Sequence, residues 1–204
     1  MTPFIGEFIG TALIIILGDG VVANVILNKT KGNNGGLIAI TFGWAIAVFV
    51  GVFVSASSSG AHLNPAVTIA LAYAGKFSWA NVPAYLLAQF AGAASGAVIV
   101  WLAYKNHFDE TKDGDVKLGV FCTAPAIRNS VNNLITEIIG TFVLVFGVLF
   151  ITAPSSSLGS LDALPVALIV YCLLYEGLHS NLYASLSPFV CIIHLNILYL
   201  YPQN

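Results

Sequence analysis

Apolar positions fall along this chain in long blocks broken by short polar stretches, and the block lengths set the predicted elements. A first apolar helix is expected from about Pro3 to Leu27, followed by a polar, Gly-rich loop from Asn28 to Gly36 that carries Lys29 and Lys31. A second helix runs from about Leu37 to Ser55, and a Ser/Gly-rich stretch then leads to the Asn64-Pro65 turn. The next block, Ala66 to Ala74, is apolar but far too short to cross a bilayer core, which needs about 20 helical residues. It reads as a half-helix that enters and leaves by the same face. A third long helix is expected from about Ala80 to Tyr104, and a fourth from about Leu134 to Ile151. Between them lies the longest polar loop, Lys105 to Asn129, which holds most of the charges. A short Ser-rich loop, Pro154 to Ser160, precedes a fifth apolar block that starts near Ala163.

Composition agrees with a bilayer as the solvent. Of 204 residues, 58% are hydrophobic and 8% charged, against about 25% charged in ordinary soluble domains. Too few charges remain to cover a water-facing surface. The net charge is −2 and no basic stripe is present, which argues against nucleic acid as a partner. Cys122, Cys172 and Cys191 have no CxxC or metal-site spacing and read as buried structural thiols. No cofactor or metal is implied. No cleavable signal peptide is visible, since the N-terminus lacks a basic region and Glu7 interrupts the first apolar run.

The two halves share a repeat. Glu7-Phe8-Ile9-Gly10-Thr11 matches Glu137-Ile138-Ile139-Gly140-Thr141, 130 positions apart. The copies lie on the first and fourth long helices, an odd offset of three crossings, so they cross the membrane in opposite senses, as in inverted-repeat channels and transporters. A glutamate at the same point of two membrane helices is costly and therefore informative.

Asn64-Pro65 carries the chemistry. Asparagine is a favoured N-cap and proline suits the first helical turn. A half-helix is thus expected to begin at Pro65 with its partial positive end toward the bilayer middle. Irregular backbone at that depth persists only where it lines a cavity or is buried in protein. Gly60, Ala61, His62 and Leu63 would then offer carbonyl acceptors and the Asn64 amide a donor. A hydroxylated solute or water can meet both, while the positive helix end disfavours cations. A plain turn is the ordinary meaning of an isolated Asn-Pro. Ser55, Ser57, Ser58, Ser59 and His62 crowd the same stretch, and Ser59 with His62 would suit a nucleophile and base. Crowded serines are more often turn residues bonded to backbone.

The nine residues Gly60-Ala61-His62-Leu63-Asn64-Pro65-Ala66-Val67-Thr68 resemble the first signature loop of the major intrinsic protein family, the aquaporins and glycerol facilitators. Glu7 to Thr11 resembles that family's first helix, Gln89-Phe90-Ala91-Gly92-Ala93 its third, and Ala126-Ile127-Arg128-Asn129 the lead-in to its fourth. The resemblance implies an all-α membrane protein, an aquaporin-like inverted-repeat bundle with a re-entrant half-helix and an incomplete second half. It implies a first repeat over 1–104, a connecting loop over 105–129 and a second repeat over 130–204. It further implies a passive channel for glycerol, water and other small uncharged solutes, not an enzyme, in the bacterial plasma membrane, with a homotetramer as the assembly. Asn64 would donate to the permeating oxygen, with Pro65 and Ala66 starting the half-helix. The carbonyls of Gly60, Ala61, His62 and Leu63 would line the pore. Trp44, 20 positions before Asn64, would present an apolar wall. Glu7, and Glu137 by symmetry, would brace loop N–H groups. Gly92 and Gly96 have the spacing of a helix-packing pair.

The chain departs from the family after about Val170. A second Asn-Pro-Ala loop is expected there, followed by an arginine. Residues 171–204 contain neither, and Arg128 is the sole arginine of the chain. Glu176, His179, Ser180 and Asn181 stand where apolar or small residues are expected, and Pro188 is the nearest proline. Phe189 to Tyr201 is too short for a sixth crossing. The sequence reading is a frameshift or comparable truncation, with impaired flux as its consequence. A non-conducting remnant is the main alternative. A secondary transporter using Glu7, Asp19, Glu137, Glu176 or His179 is a lesser one. Orientation poses a conflict. With both termini cytoplasmic, as in the family, Lys29, Lys31, Lys105, Lys112, Lys117 and Arg128 fall outside and only Lys76 inside, against the positive-inside rule. The family orientation is retained.

Overall fold

The computed structural model describes residues 1–122, 127, 129–151 and 159–175. Four helices are long and apolar enough to cross a membrane, by length and composition. They are α1 (Pro3–Ile26), α2 (Gly36–Ser59), α4 (Val82–Ala103) and α7 (Ser130–Phe150). The half-helix α3 (Pro65–Tyr73) follows α2, and a single 3₁₀ turn, Trp79–Asn81, leads into α4. Two short helices, α5 (Lys105–Glu110) and α6 (Gly114–Gly119), lie between α4 and α7. The fifth apolar block appears as the turn Gly159–Ala163 and helix α8 (Leu164–Tyr175). Residues 176–204, and with them the expected tail and its Glu176, His179 and Pro188, lie outside the described residues, as do Arg128 and the Ser-rich loop from Pro154 to Leu158.

The helix ends follow from local chemistry. Thr2 caps α1 by accepting from the Ile5 N–H, with Pro3 in the first turn. Asn129 caps α7 by accepting from Asn132 N–H at 3.1 Å. The second helix outlasts its expected end at Ser55 by a full turn, because the three serines continue the helix until Gly60 stops it at φ 82°.

Helix α1 sits between α2 and α4, in contact with both. Small residues make this close approach possible. A Cβ at Gly92 would overlap the main-chain carbonyl of Phe8, and one at Gly96 would lie 2.8 Å from the Ala12 carbonyl oxygen. On the other side, the Trp44 ring of α2 lies over Gly18. Lipid tails are as apolar as leucine, so membrane helices associate through such packing rather than through exclusion from water. Phe42 and Phe53 on α2, and Phe142 and Phe146 on α7, are exposed among the described residues, as expected of helices whose outer faces need not meet water.

Within the segment expected as a long polar loop, residues 105–122 are folded onto the bundle and include the helices α5 and α6. Phe108, Val120, Phe121 and Cys122 are buried, with the Phe108 and Phe121 rings stacked at 5.7 Å. The Asn28 N–H donates to Thr111 Oγ1 at 2.9 Å, and Lys29 pairs with Glu110. These bonds place the α1–α2 loop and the α4–α7 connection on one face. The Lys76 ammonium donates to the Leu149 carbonyl at 2.9 Å, which places the exit of α3 and the end of α7 on the opposite face. Successive long helices therefore alternate in sense, as the repeat requires.

Candidate functional site

The five residues between α2 and α3 form an unusual backbone. Gly60, Ala61 and Leu63 have φ of 82°, 52° and 50°. For alanine and leucine this left-handed region costs on the order of 1–2 kcal/mol each. Asn64 returns to extended φ, and its Oδ1 accepts from the Ala66 N–H at 2.8 Å, capping α3. Pro65 occupies the first turn. The local sequence explains both ends of this segment: glycine stops α2, and Asn-Pro starts α3. It does not explain the strained middle.

Glu7 of α1 explains the middle. Its carboxylate is fully buried and accepts four hydrogen bonds. The main-chain N–H groups of His62 and Leu63 donate at 2.9 and 2.7 Å. Ser59 Oγ donates at 2.6 Å and Gln89 Nε2 at 2.7 Å. Charge-assisted bonds of this kind are about twice as strong as neutral ones, enough to offset the backbone strain. Gln89 also donates to Thr68 Oγ1 at 3.0 Å, and Thr68 donates to the Asn64 carbonyl at 3.1 Å. Tyr85 OH donates to the Ser59 carbonyl at 2.7 Å. Gln89 and Tyr85 stand four positions apart on α4, one helical turn, so one face of that helix grips both ends of the loop. In the sequence, Gln89 and Thr68 stand out only as parts of the family resemblance, and Tyr85 does not stand out at all. Beyond that, their one sequence signal was polar character at helical spacing inside apolar runs.

With its N–H groups turned to Glu7, the loop keeps its acceptors. The carbonyls of Gly60, Ala61, His62 and Leu63 accept no hydrogen bond among the described residues, and Asn64 Nδ2 donates none. These five residues border a cavity of ≈ 170 Å³. Facing them are Val48 and Val52 of α2, Leu144 and Val148 of α7, and Val166 and Val170 of α8. Trp44 completes the apolar side. One wall is thus a ladder of main-chain acceptors ending in an amide donor, and the other is hydrocarbon.

The expected site residues separate under this geometry. Gly60, Ala61, His62, Leu63, Asn64 and Trp44 come together around the cavity, whereas Pro65 and Ala66 stand behind it as the first residues of α3. The His62 ring packs between Phe77 and Tyr85 at 4.6 and 4.9 Å, with Nδ1 3.2 Å from Thr68 Oγ1. Ser59 gives its hydroxyl proton to Glu7 and not to His62, which removes the nucleophile–base pairing. Glu137 is half-buried and lines a separate open groove on α7 with Thr141 and Phe142. The segment it would brace lies outside the described residues.

Comparison with known proteins places this geometry in a family. The chain matches the Major intrinsic protein family over residues 1–201. A probable glycerol uptake facilitator protein of Thermotoga maritima is 53% identical over 171 residues, 84% of this chain and 73% of that protein. Glycerol uptake facilitator protein 3 of Lactiplantibacillus plantarum is 51% identical, over 81% of this chain and 69% of its own length. The X-ray structure of the aquaglyceroporin from Plasmodium falciparum superposes with a TM-score of 0.82 at 30% identity, covering 98% of this chain and 82% of that one. The family is one of membrane channels and not of enzymes. The chain is accordingly a multi-pass membrane protein that belongs to the major intrinsic protein family, on its glycerol uptake facilitator branch.

Proposed function

We propose that this chain is a passive channel for glycerol, other small uncharged solutes and water, and that the cavity beside Gly60 to Asn64 is one half of its path. The observation that carries this reading is the two-sided wall: unpaired carbonyls and the Asn64 amide on one side, valines, Leu144 and Trp44 on the other. A polyol has the same two sides, hydroxyls along one edge and carbon along the other. It can exchange hydration for the ladder while its carbons meet hydrocarbon, so desolvation is compensated at each step. An ion cannot be compensated in this way, and the N-terminus of α3 adds a positive potential. Support also comes from the relatives described as glycerol uptake facilitators.

In this reading the termini are cytoplasmic, and the assembly is a homotetramer in which exposed apolar faces of α2 and α7 meet lipid or a neighbouring copy. The absence of a second Asn-Pro-Ala stretch and of an arginine after Val170 leads us to expect glycerol flux well below that of a channel with both loops. Stopped-flow light scattering on vesicles containing this chain tests the proposal. Glycerol permeability above protein-free vesicles, blocked for ions, is the expected result; permeability equal to protein-free vesicles removes the channel reading in favour of a non-conducting remnant.

A further inference from the structure

Lys76 stands at a point where two helices end together. The exit of α3 is a tight stop: the Gly75 N–H donates to the Ala72 carbonyl at 3.1 Å and the Lys76 N–H to the Leu71 carbonyl at 2.9 Å. Gly75 is left-handed at φ 71°, the conformation this stop requires and glycine supplies without steric cost. The stop fixes where the Lys76 side chain starts. Its ammonium then donates to the Leu149 carbonyl at 2.9 Å, in the last turn of α7. Carbonyls there have run out of helical partners, and the α7 dipole leaves partial negative charge. The end of α3 carries the same sign, and α3 packs against α7. Two negative helix ends repel, and a cation between them reverses the sign of that interaction.

We propose that Lys76 is a positioning residue that fastens the end of the half-helix to the end of α7 and so sets the gap between the two repeats. Both parties border the cavity: α3 through the loop it anchors and Val67, α7 through Leu144 and Val148. The fastener joins residues 73 positions apart, one from each repeat. It also gives a physical task to the one lysine on its face of the bundle among the described residues. The consequence for permeation rests on the channel reading above; the fastening itself does not.

Hydrogen–deuterium exchange on the full chain in lipid nanodiscs tests it, with the variants Lys76→Met and Lys76→Arg. Lys76→Met keeps most of the unbranched stem and removes the charge and the donor. It should speed exchange in segments 66–73 and 145–151 roughly two- to five-fold, the scale of a helix-end charge, while segment 8–25 stays unchanged. Lys76→Arg should match the parent. Raising salt to about 1 M should shrink the difference between parent and Lys76→Met, because an exposed charge is screened. In vesicles, Lys76→Met should raise the permeability ratio of a five-carbon polyol to glycerol. Unchanged exchange in Lys76→Met, equal loosening of segment 8–25, or failure of arginine to restore protection would each overturn the proposal. A parent chain that conducts no glycerol would sink the channel reading and leave the exchange result to decide the fastener.

Discussion

The carboxylate of Glu7 accepts the main-chain N–H of Leu63 at 2.7 Å, across 56 positions of chain. Through this bond and its partner on His62, a residue that never touches the cavity decides which way the loop's carbonyls are free to act. The loop cannot turn its acceptors toward a solute unless its donors are satisfied behind it, because an unsatisfied buried donor costs about 1–3 kcal/mol.

Glu7→Gln keeps the shape and removes the charge, and it places an NH₂ group against a ring of donors. At least one of the four bonds is then lost. The variant should be destabilised by about 2 kcal/mol or more and lose most of its glycerol permeability. Denaturant titration in bicelles and stopped-flow uptake measure the two effects.

Asn64 has two tasks that one substitution can separate. Asn64→Asp retains the oxygen that caps Ala66 N–H and removes the Nδ2 donor offered to the cavity. Stability should fall by less than in Glu7→Gln, since aspartate and asparagine cap equally well and the positive end of α3 offsets part of the cost of a carboxylate in the cavity. Glycerol permeability should fall at least about ten-fold, the size of one lost charge-neutral contact of roughly 1.4 kcal/mol in a dry path.

Gly92 lets α4 rest on the Phe8 carbonyl, and the obstacle to a larger residue is backbone, which cannot swing aside. Gly92→Ala should cost about 1–3 kcal/mol by forcing α4 away from α1. Because Gln89 rides on α4 and bonds Glu7, the same variant should also lower flux. Thermal unfolding followed by near-UV circular dichroism, beside the uptake assay, checks both outcomes.

The Lys29 ammonium holds the Glu110 carboxyl below its usual range, first by a hydrogen bond and then by its charge. A lowered folded-state value means that the pair stabilises the clasp at pH above the unfolded carboxylate range. That contribution is lost as pH falls through the folded value. Exchange of the Asn28 amide, which donates to Thr111 Oγ1, should therefore accelerate in acid beyond its intrinsic rate, and Glu110→Gln should abolish this extra dependence. The pair is exposed, so the effect should be small and weaken with salt.

Much of this was legible along the chain. The long helices were readable because a bilayer core admits only backbone that satisfies itself, so each crossing must be a continuous apolar block. Helix α1 ended one residue from its expected limit, and α3 began where Asn64-Pro65 placed it. The packing of residues 105–122 was not legible, since their charges masked Phe108 and Phe121, whose rings stack on each other only after folding. The end of α2 was set one turn early because serine was read as loop, although a serine whose hydroxyl bonds a carbonyl four residues back is accommodated in a helix, as Ser55 is.

By itself the sequence determined the solvent, the crossing segments and the half-helix, since those depend on local properties: apolar length, capping chemistry and the missing N–H of proline. Only the tertiary structure decided why the signature loop can exist. Ala61 and Leu63 hold a backbone that their own side chains disfavour, and the groups that compensate come from α1, α2 and α4 at separations of 21 to 82 positions. Strain of that kind leaves no local pattern in a sequence, because it is balanced by hydrogen bonds that form only when distant helices have already packed.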